Sequence, residues 1–498
     1  MWALDAVSRL PYPCRGLLGL LWALCLLVGC RSTNSVLLNY EGQMGMGAYA
    51  QAAQTTVQAA EKGDGDELLW RLLAGKAYLL APSSEEAVAQ LDLAEDLFQA
   101  NDSSTALKTG AEQAKAMLGS ELSFAYRGFG QDRIFCCLYK GLAYASLGNV
   151  AATRTELNRA AEHQENWLFE RRREIAQAEQ ELEEAVARQD ASQRTAEVDP
   201  LAQQGLFWQD AAFAESVRQN TGFDMATSGN LERLAAADYS NAYLAHLCGI
   251  FRWLQGDGGR EFLRDAAALR PASPLLQGDF QAVSQGGRPR NQVWLYVEDG
   301  LCPARTEWRL DLPLFLLPYV GRYALYAGMA LPRLEERSAA AERYWLGGGA
   351  QGEVPLEVLE NVDRLVRTEY DVYMRGALKR EIVRTLAKVS AQVAFQIAID
   401  NCEDSGARLA LKVAQIGVGA WAAGTTAADL REWVSLPKVV WVGRIERPGD
   451  GKLSLVAETG GLRASLALEA PEGNTLVWVR KYAPASPMVA RVVTYPNP

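Results

Sequence analysis

The side chains that could carry out chemistry are few and scattered. His163 and His246 are the only histidines; both lie in stretches of helical period, far apart, with no cysteine or carboxylate cluster at metal-ligand spacing around them. GxSxG nucleophile elbows and phosphate loops ending in GK[ST] are absent. Carboxylate chemistry is what is left. Glu298, Asp299 and Glu307 are close enough in sequence to serve as acid and base on a glycan, but Glu307 and Arg309 alternate beside Asp311, as an exposed ladder on a strand does. The Gly-rich run GGGAQG at 347–352 has no strand-to-helix frame around it and reads as a linker. The expectation is a protein that is not an enzyme and that needs neither metal nor cofactor.

One cysteine is placed for a reaction of another kind. Arg9 and Arg15 precede the apolar run GLLGLLWALCLL at 16–27, a length that suits an export signal better than a membrane span. The residues that follow, Leu27-Val28-Gly29-Cys30, resemble the lipobox of bacterial lipoproteins. There a small residue admits the signal peptidase, and the next thiol carries diacylglycerol, with palmitate among the acyl chains. Cys30 would then open the mature chain and hold it to a membrane through several acyl chains, which bind far better than one. Arg31 stands where lipoproteins retained in the inner membrane often carry Asp, so the resemblance implies the outer membrane, with the chain facing the periplasm. Residues 1–29 are thus the expected signal and 30–39 a tether. Of the thiols beyond Cys30, Cys136, Cys137 and Cys248 read as small buried hydrophobes; an odd total of five argues against a disulfide framework, and a Cys302–Cys402 bridge stays open.

The elements that must position these groups change period twice. From 40 to 285 the apolar residues follow helical spacing. Gly75, Tyr78, Ala87 and Ala94 form one set, and Gly141, Tyr144, Gly148, Leu157 and Ala160 a second, with a degraded third copy over 241–271 that turns at Gly256-Asp257. These spacings resemble tetratricopeptide (TPR) repeats, in which small residues let two helices approach closely and an aromatic fills the gap between neighbouring pairs. The fold class expected is α+β: a TPR-like helical solenoid followed by a β-sandwich-like domain over 290–482, and then a tail over 483–498. Between the repeat copies, Leu168, Ile175 and Leu182 recur every seven residues, with Ala178 and Ala185 as a weaker seam; packing on the helix near 206–217 is the expectation, and Arg171-Arg172-Arg173 reads as a solvated face.

Period-two alternation over 293–300, 306–313 and 321–332, and again over 438–446, 452–458, 462–470 and 474–482, predicts a seven-stranded sandwich. The segment 355–428 interrupts it as inserted or packed helix. On that helix Arg380, Arg384 and Lys388 are spaced four apart and form a basic stripe, which could meet an acidic partner, lipid headgroups or peptidoglycan carboxylates. Together with Tyr78 and Tyr144 they are the candidate partner-binding residues. The stretch at 409–428 is nearly long enough to span a bilayer, but its Lys412, Gln415 and small residues read as a buried or mobile helix. Asp429, Arg431 and Trp433 are expected to clamp the chain where helix gives way to sheet. Trp294, Trp308, Trp441 and Trp478 would favour a sugar-binding reading if they lined one exposed face.

A net charge of −10 over 498 residues argues against nucleic acid as the partner. Four stretches, 126–164, 298–313, 373–392 and above all AADLREWVSLPKVVWVGRI at 427–445, resemble the successive landmarks of a family of uncharacterised Gram-negative envelope lipoproteins. The resemblance implies a TPR-like half before a smaller carboxy-terminal half, a periplasm-facing lipoprotein, and a neighbourhood of peptidoglycan synthesis; it supplies no catalytic residues. The function expected is a lipid-anchored interaction scaffold or assembly factor whose repeats offer a groove to an envelope protein. The alternatives are a glycan-binding or carboxylate-based peptidoglycan-active protein, and an accessory subunit of a secretion or appendage complex.

Overall fold

The computed structural model describes residues 30–497 apart from 64, 106–123, 168–179, 181–210, 226–238, 313–325 and 349–351. The export signal, the heptad seam with its arginine run, and the centre of GGGAQG lie outside the described residues, as does the first half of the helix expected near 206–217.

The amino-terminal half is built from antiparallel helices: α1 (Cys30–Gly45), α2 (Tyr49–Ala60), α3 (Glu67–Leu80), α4 (Ser84–Thr105), α5 (Gly130–Ser146), α6 (150–167), α7 (Ala211–Thr221), α8 (Ala242–Leu254), α9 (Arg260–Leu269) and α10 (Pro274–Ser284). Small residues set how close the pairs come. A methyl group on Gly75 would sit 2.5 Å from the Leu91 side chain across α3 and α4, and one on Gly249 would sit 2.6 Å from Leu263 across α8 and α9. Gly141 faces Leu157 across α5 and α6 in the same way, though with ordinary clearance. Ala87 and Ala94 are fully buried on α4. Gly148 turns α5 into α6 at φ +73°, a conformation that favours glycine.

The expected tether is instead helical: α1 begins at Cys30, and Tyr40 and Met44 on it are fully buried in the main core. A second correction concerns the tail. Residues Met488–Tyr495 form a strand, β11, which completes a five-stranded sheet in the order β11-β10-β1-β7-β6. Its other members are β1 (Gln292–Asp299), β6 (Glu357–Asn361), β7 (Val439–Glu446) and β10 (Asn474–Lys481), with β1 parallel to β10 and the remaining pairs antiparallel. A four-stranded sheet, β5-β4-β8-β9, packs on one face of it, built from β4 (Arg343–Gly347), β5 (Glu353–Pro355), β8 (Lys452–Thr459) and β9 (Leu462–Glu469). A separate hairpin, β2 (Ala304–Leu312) with β3 (Ala327–Glu335), lies along the long helix α11 (Val362–Asp400), which turns back as α12 (Ser405–Gly424). The sandwich therefore has more strands than the seven expected. The short β4, β5 and β6 gave too little alternation to be seen.

Strand β1 explains how the halves join. Val293, Leu295 and Val297 enter the core between the two sheets, while Trp294 and Tyr296 enter the core shared with the helices. Both faces are covered, so the run reads as almost continuously apolar. The sheet packs directly on the helical half, where the repeat reading expected an open groove: Tyr139, Tyr243 and Trp253 share one core with Trp294, Tyr296 and Trp478.

Two glycine substitutions separate close packing from mere helix propensity. Gly249→Ala is expected to lower stability by about 1–3 kcal/mol through overpacking against Leu263. Gly417→Ala, where nothing lies within 4 Å of the added methyl group, is expected to be neutral or to stabilise by about 0.5–1 kcal/mol. Urea melts of the two variants check the contrast.

Candidate functional site

Charged groups cluster at the seam between helices and sheet. Helix α3 is apolar around almost its whole circumference, so Lys76 has no route to water and is fully buried. Its Nζ donates to Glu298 Oε2 at 2.5 Å and lies 3.3 Å from the centre of the Tyr139 ring. Tyr139 and Tyr243 donate their hydroxyls to the same carboxylate at 3.2 and 3.4 Å. Burial pushes Lys76 down to about 7, and the charge of Glu298 opposes that shift. The next residue, Asp299, points to the other face of the sheet and accepts from Tyr344 Oη at 2.6 Å and from the backbone N–H groups of Ala340 and Ala341. Glu298 and Asp299 thus sit on opposite faces of one strand, each inside its own hydrogen-bond set. They cannot act together on one glycosidic bond.

A second cluster joins α5, α11, β2 and the segment before β7. Asp132 accepts from Tyr126 Oη at 2.6 Å and caps α5 through the Phe129 N–H at 2.8 Å; burial raises its pKa to about 6. Glu432 accepts the Arg305 N–H at 2.7 Å, and burial raises it to about 7 against the pull of Arg305. The Arg305 guanidinium lies 3.9 Å from the Phe129 ring centre and 4.6 Å from that of Tyr373. Glu369 of α11 accepts from Gly130 N, Trp167 Nε1 and Tyr239 Oη.

The third cluster contains a histidine that the sequence had left aside. His246 Nε2 and Asp279 Oδ2 are 3.0 Å apart, and His246 Nδ1 lies 3.0 Å from Tyr296 Oη. Trp294 Nε1 and Arg444 also donate to Asp279. The chain Tyr296–His246–Asp279 has the order of a proton relay, but all three side chains are buried. The signal that could have found it is a polar residue inside the uninterrupted apolar helix AYLAHLCGIFRWL. Beside Tyr243 and Tyr296 a small apolar cavity, also lined by Leu142, Leu247, Trp478 and Arg491, has room for about one water molecule.

The predicted residues fall in several places. Tyr78 and Tyr144 are half-buried against the main core. Arg380 is partly exposed, but Arg384 and Lys388 are buried, which corrects the reading of a basic stripe open to an acidic partner. Arg384 pairs with Glu381 at 3.2 Å, and Lys388 Nζ donates to Thr426 Oγ1 at 3.0 Å, because β3 and α12 cover this side of α11. Arg431 holds Asp429 through two hydrogen bonds of 2.8 Å, and also donates to Asp66 Oδ1 and Phe124 O at 2.8 Å each. Trp433 is buried edge-on to Tyr139, 5.6 Å between ring centres. This group ties the late chain to the start of α3, not only helix to sheet. Cys136, Cys137, Cys248, Cys302 and Cys402 are free, so Cys302 and Cys402 form no bridge; burial pushes Cys137, Cys248 and Cys302 up to about 12. Trp294 and Trp478 are buried under the helices, Trp441 is half-buried between the sheets, and Trp308 packs on the core beneath α11. They share no exposed face.

The exposed apolar surface lies elsewhere. Asp404 caps α12 by accepting the Ala407 N–H at 2.6 Å, and Gln415, Gly419 and Ala422 are its buried side. Leu409, Val413 and Ile416, spaced as one helical stripe, are 65%, 60% and 61% exposed, with Trp421 at 41% near the far end. Arg408 and Lys412 are the only charged residues of the helix. Neighbouring α11 is long and apolar enough to cross a membrane by length and composition, but half of its apolar stretch is buried within the protein. Among the described residues no group of His, Cys, Asp and Glu has metal-binding geometry. No protein-family model, curated protein or solved structure matches the chain.

Two outcomes follow from the seam. Lys76→Met leaves the Glu298 carboxylate buried without its cation and is expected to cost about 3–5 kcal/mol; adding Glu298→Gln should recover most of that loss, which a double-mutant cycle in urea reads directly. For Glu432 the folded pKa is raised, so the native state binds the proton more tightly than the unfolded chain. Its contribution to stability is therefore full near pH 4.5 and falls as pH rises toward about 7. The Glu432→Gln variant should show a smaller loss of thermal stability between pH 5 and pH 7.5 than the parent.

Proposed function

We propose that the protein is a non-enzymatic, outer-membrane lipoprotein, anchored through Cys30 and facing the periplasm, that serves a cell-envelope machine as a docking scaffold, with peptidoglycan synthesis as its setting. The observation that carries the docking role is the uncovered apolar stripe of Leu409, Val413 and Ile416 on α12. A folded protein gains nothing by holding three large aliphatic side chains of one helical stripe in water, and such patches mark binding surfaces. The occupant we assign is an apolar helix or peptide of an envelope protein. The helical half is read as a TPR-like array whose concave side its own sheet has taken, which moves the docking surface away from Tyr78 and Tyr144 to the α11–α12 hairpin.

The buried ion pairs support the same reading. Their role is to hold the hairpin and the sheet in fixed positions on the helices. The four tryptophans, spread over separate cores, give no support to a sugar-stacking surface.

The test uses the full chain in intact Gram-negative cells. A photoreactive residue at 416 should give a discrete adduct with a membrane or periplasmic protein, one at buried position 422 should not, and Val413→Asp should abolish the adduct without changing the melting temperature. Cys30→Ser should move the chain from the membrane to the soluble fraction. A Cys30→Ser chain that stays in the membrane fraction would remove the lipid anchor from this account, and an unchanged adduct in Val413→Asp would remove the docking stripe.

A further inference from the structure

Strand β9 ends its sheet, and among the described residues no strand lies on its outer side. It is also the most exposed strand of the sandwich: only Leu468 is buried, Leu466 is half-buried, and Leu462 is 80% exposed. Long edge strands are usually blunted by proline, lysine or a bulge, because their free N–H and C=O groups recruit another strand. LRASLALE has none of these.

The cross-strand rows show what would fit. On the solvent face, Arg343 of β4 stands opposite Glu458 of β8, which stands opposite Arg463 of β9, whose guanidinium lies over Trp345 and donates to Glu353 of β5 at 2.6 Å; at the other end of β9, Glu469 stands opposite Lys452. On the inner face, Leu346, Leu455 and Leu466 form one apolar row. We infer that β9 pairs antiparallel with β9 of a second copy, about a two-fold axis at Leu466, so that Arg463 of each copy faces Glu469 of the other. In that register the solvent row runs Arg343, Glu458, Arg463, then Glu469 and Lys452 of the second copy, with the sign alternating at every step. The inner row becomes Leu346, Leu455, Leu466 and then the same three in reverse, and Ala464 meets Leu468.

Backbone geometry agrees with this. Each residue of β9 meets one of the same parity in the second copy, so the groups that point outward on one edge meet those that point outward on the other. Moving the two-fold axis by one residue leaves Arg463 opposite Ala467 or Pro471 and loses both ion pairs. A C2 contact of this kind is self-complementary by construction, and joins two four-stranded sheets into one of eight. It is independent of the lipid anchor and of the α12 stripe.

Register-specific crosslinking tests it. In the full chain, only residue 466 meets its own copy, at a Cα separation of about 4.5–5.5 Å, which a disulfide spans. Mild oxidation should link Leu466→Cys into a dimer on a non-reducing gel and leave Ala464→Cys and Ala467→Cys monomeric. In sedimentation of the detergent-purified full chain, Arg463→Glu should weaken dimerisation on the order of tenfold by placing like charges opposite each other, and the Arg463→Glu/Glu469→Arg double variant should recover it. A monomer at every concentration tested, equal crosslinking at 464 and 466, or a dimer indifferent to Arg463→Glu would each overturn the pairing.

Discussion

The structure depends on a lysine and a glutamate that meet where neither can reach water. Lys76 comes from α3 and Glu298 from the central strand, and their contact fixes how the helices sit on the sheet. Apolar packing alone would tolerate sliding of helices over a sheet of large aromatics. A buried charge does not tolerate it, because any movement that opens the pair exposes the desolvation cost of both ions. The tyrosines around them, Tyr139 and Tyr243, add directional bonds to the same carboxylate. The Glu369 and Arg431 clusters do likewise for α11 and for the segment before β7.

This constraint decides which surfaces are available. With the sheet packed against the helices, the side chains between them form one core. The aromatic and ionisable side chains that a sequence reader would assign to binding or catalysis are largely spent on holding the two halves together. The regions left uncovered are peripheral: the outer side of α12 and the free edge of β9. Both carry aliphatic residues in regular spacing, Leu409, Val413 and Ile416 on the one and Leu462, Leu466 and Leu468 on the other.

Much of the fold was legible in local pattern. Helix pairs announced themselves through Gly75 and Gly141, since small residues recurring at repeat spacing mark where two helices come close; Gly249, which does the same against Leu263, was not seen. Seven strands were visible because their alternation ran for seven residues or more. The short β4, β5 and β6 were not, and β11 was hidden because VARVVT has aliphatic residues on both faces, as suits a strand half covered on each side. The basic stripe misled for a specific reason. Spacing of four places Arg380, Arg384 and Lys388 on one face of α11, but cannot say that β3 and α12 cover that face and that Glu381 and Thr426 supply partners.

The sequence by itself determined the period of each element, where the close helix approaches fall, and a cysteine set behind an apolar run and a small residue. Those properties reside within a few turns of chain. Only the tertiary structure decided which side of each element meets water. It brought Lys76 to Glu298 across 222 positions, Arg431 to Asp66 across 365, and His246 to both Asp279 and Tyr296. Side chains that far apart are matched by the burial of whole faces, a sum over many residues that no local spacing contains.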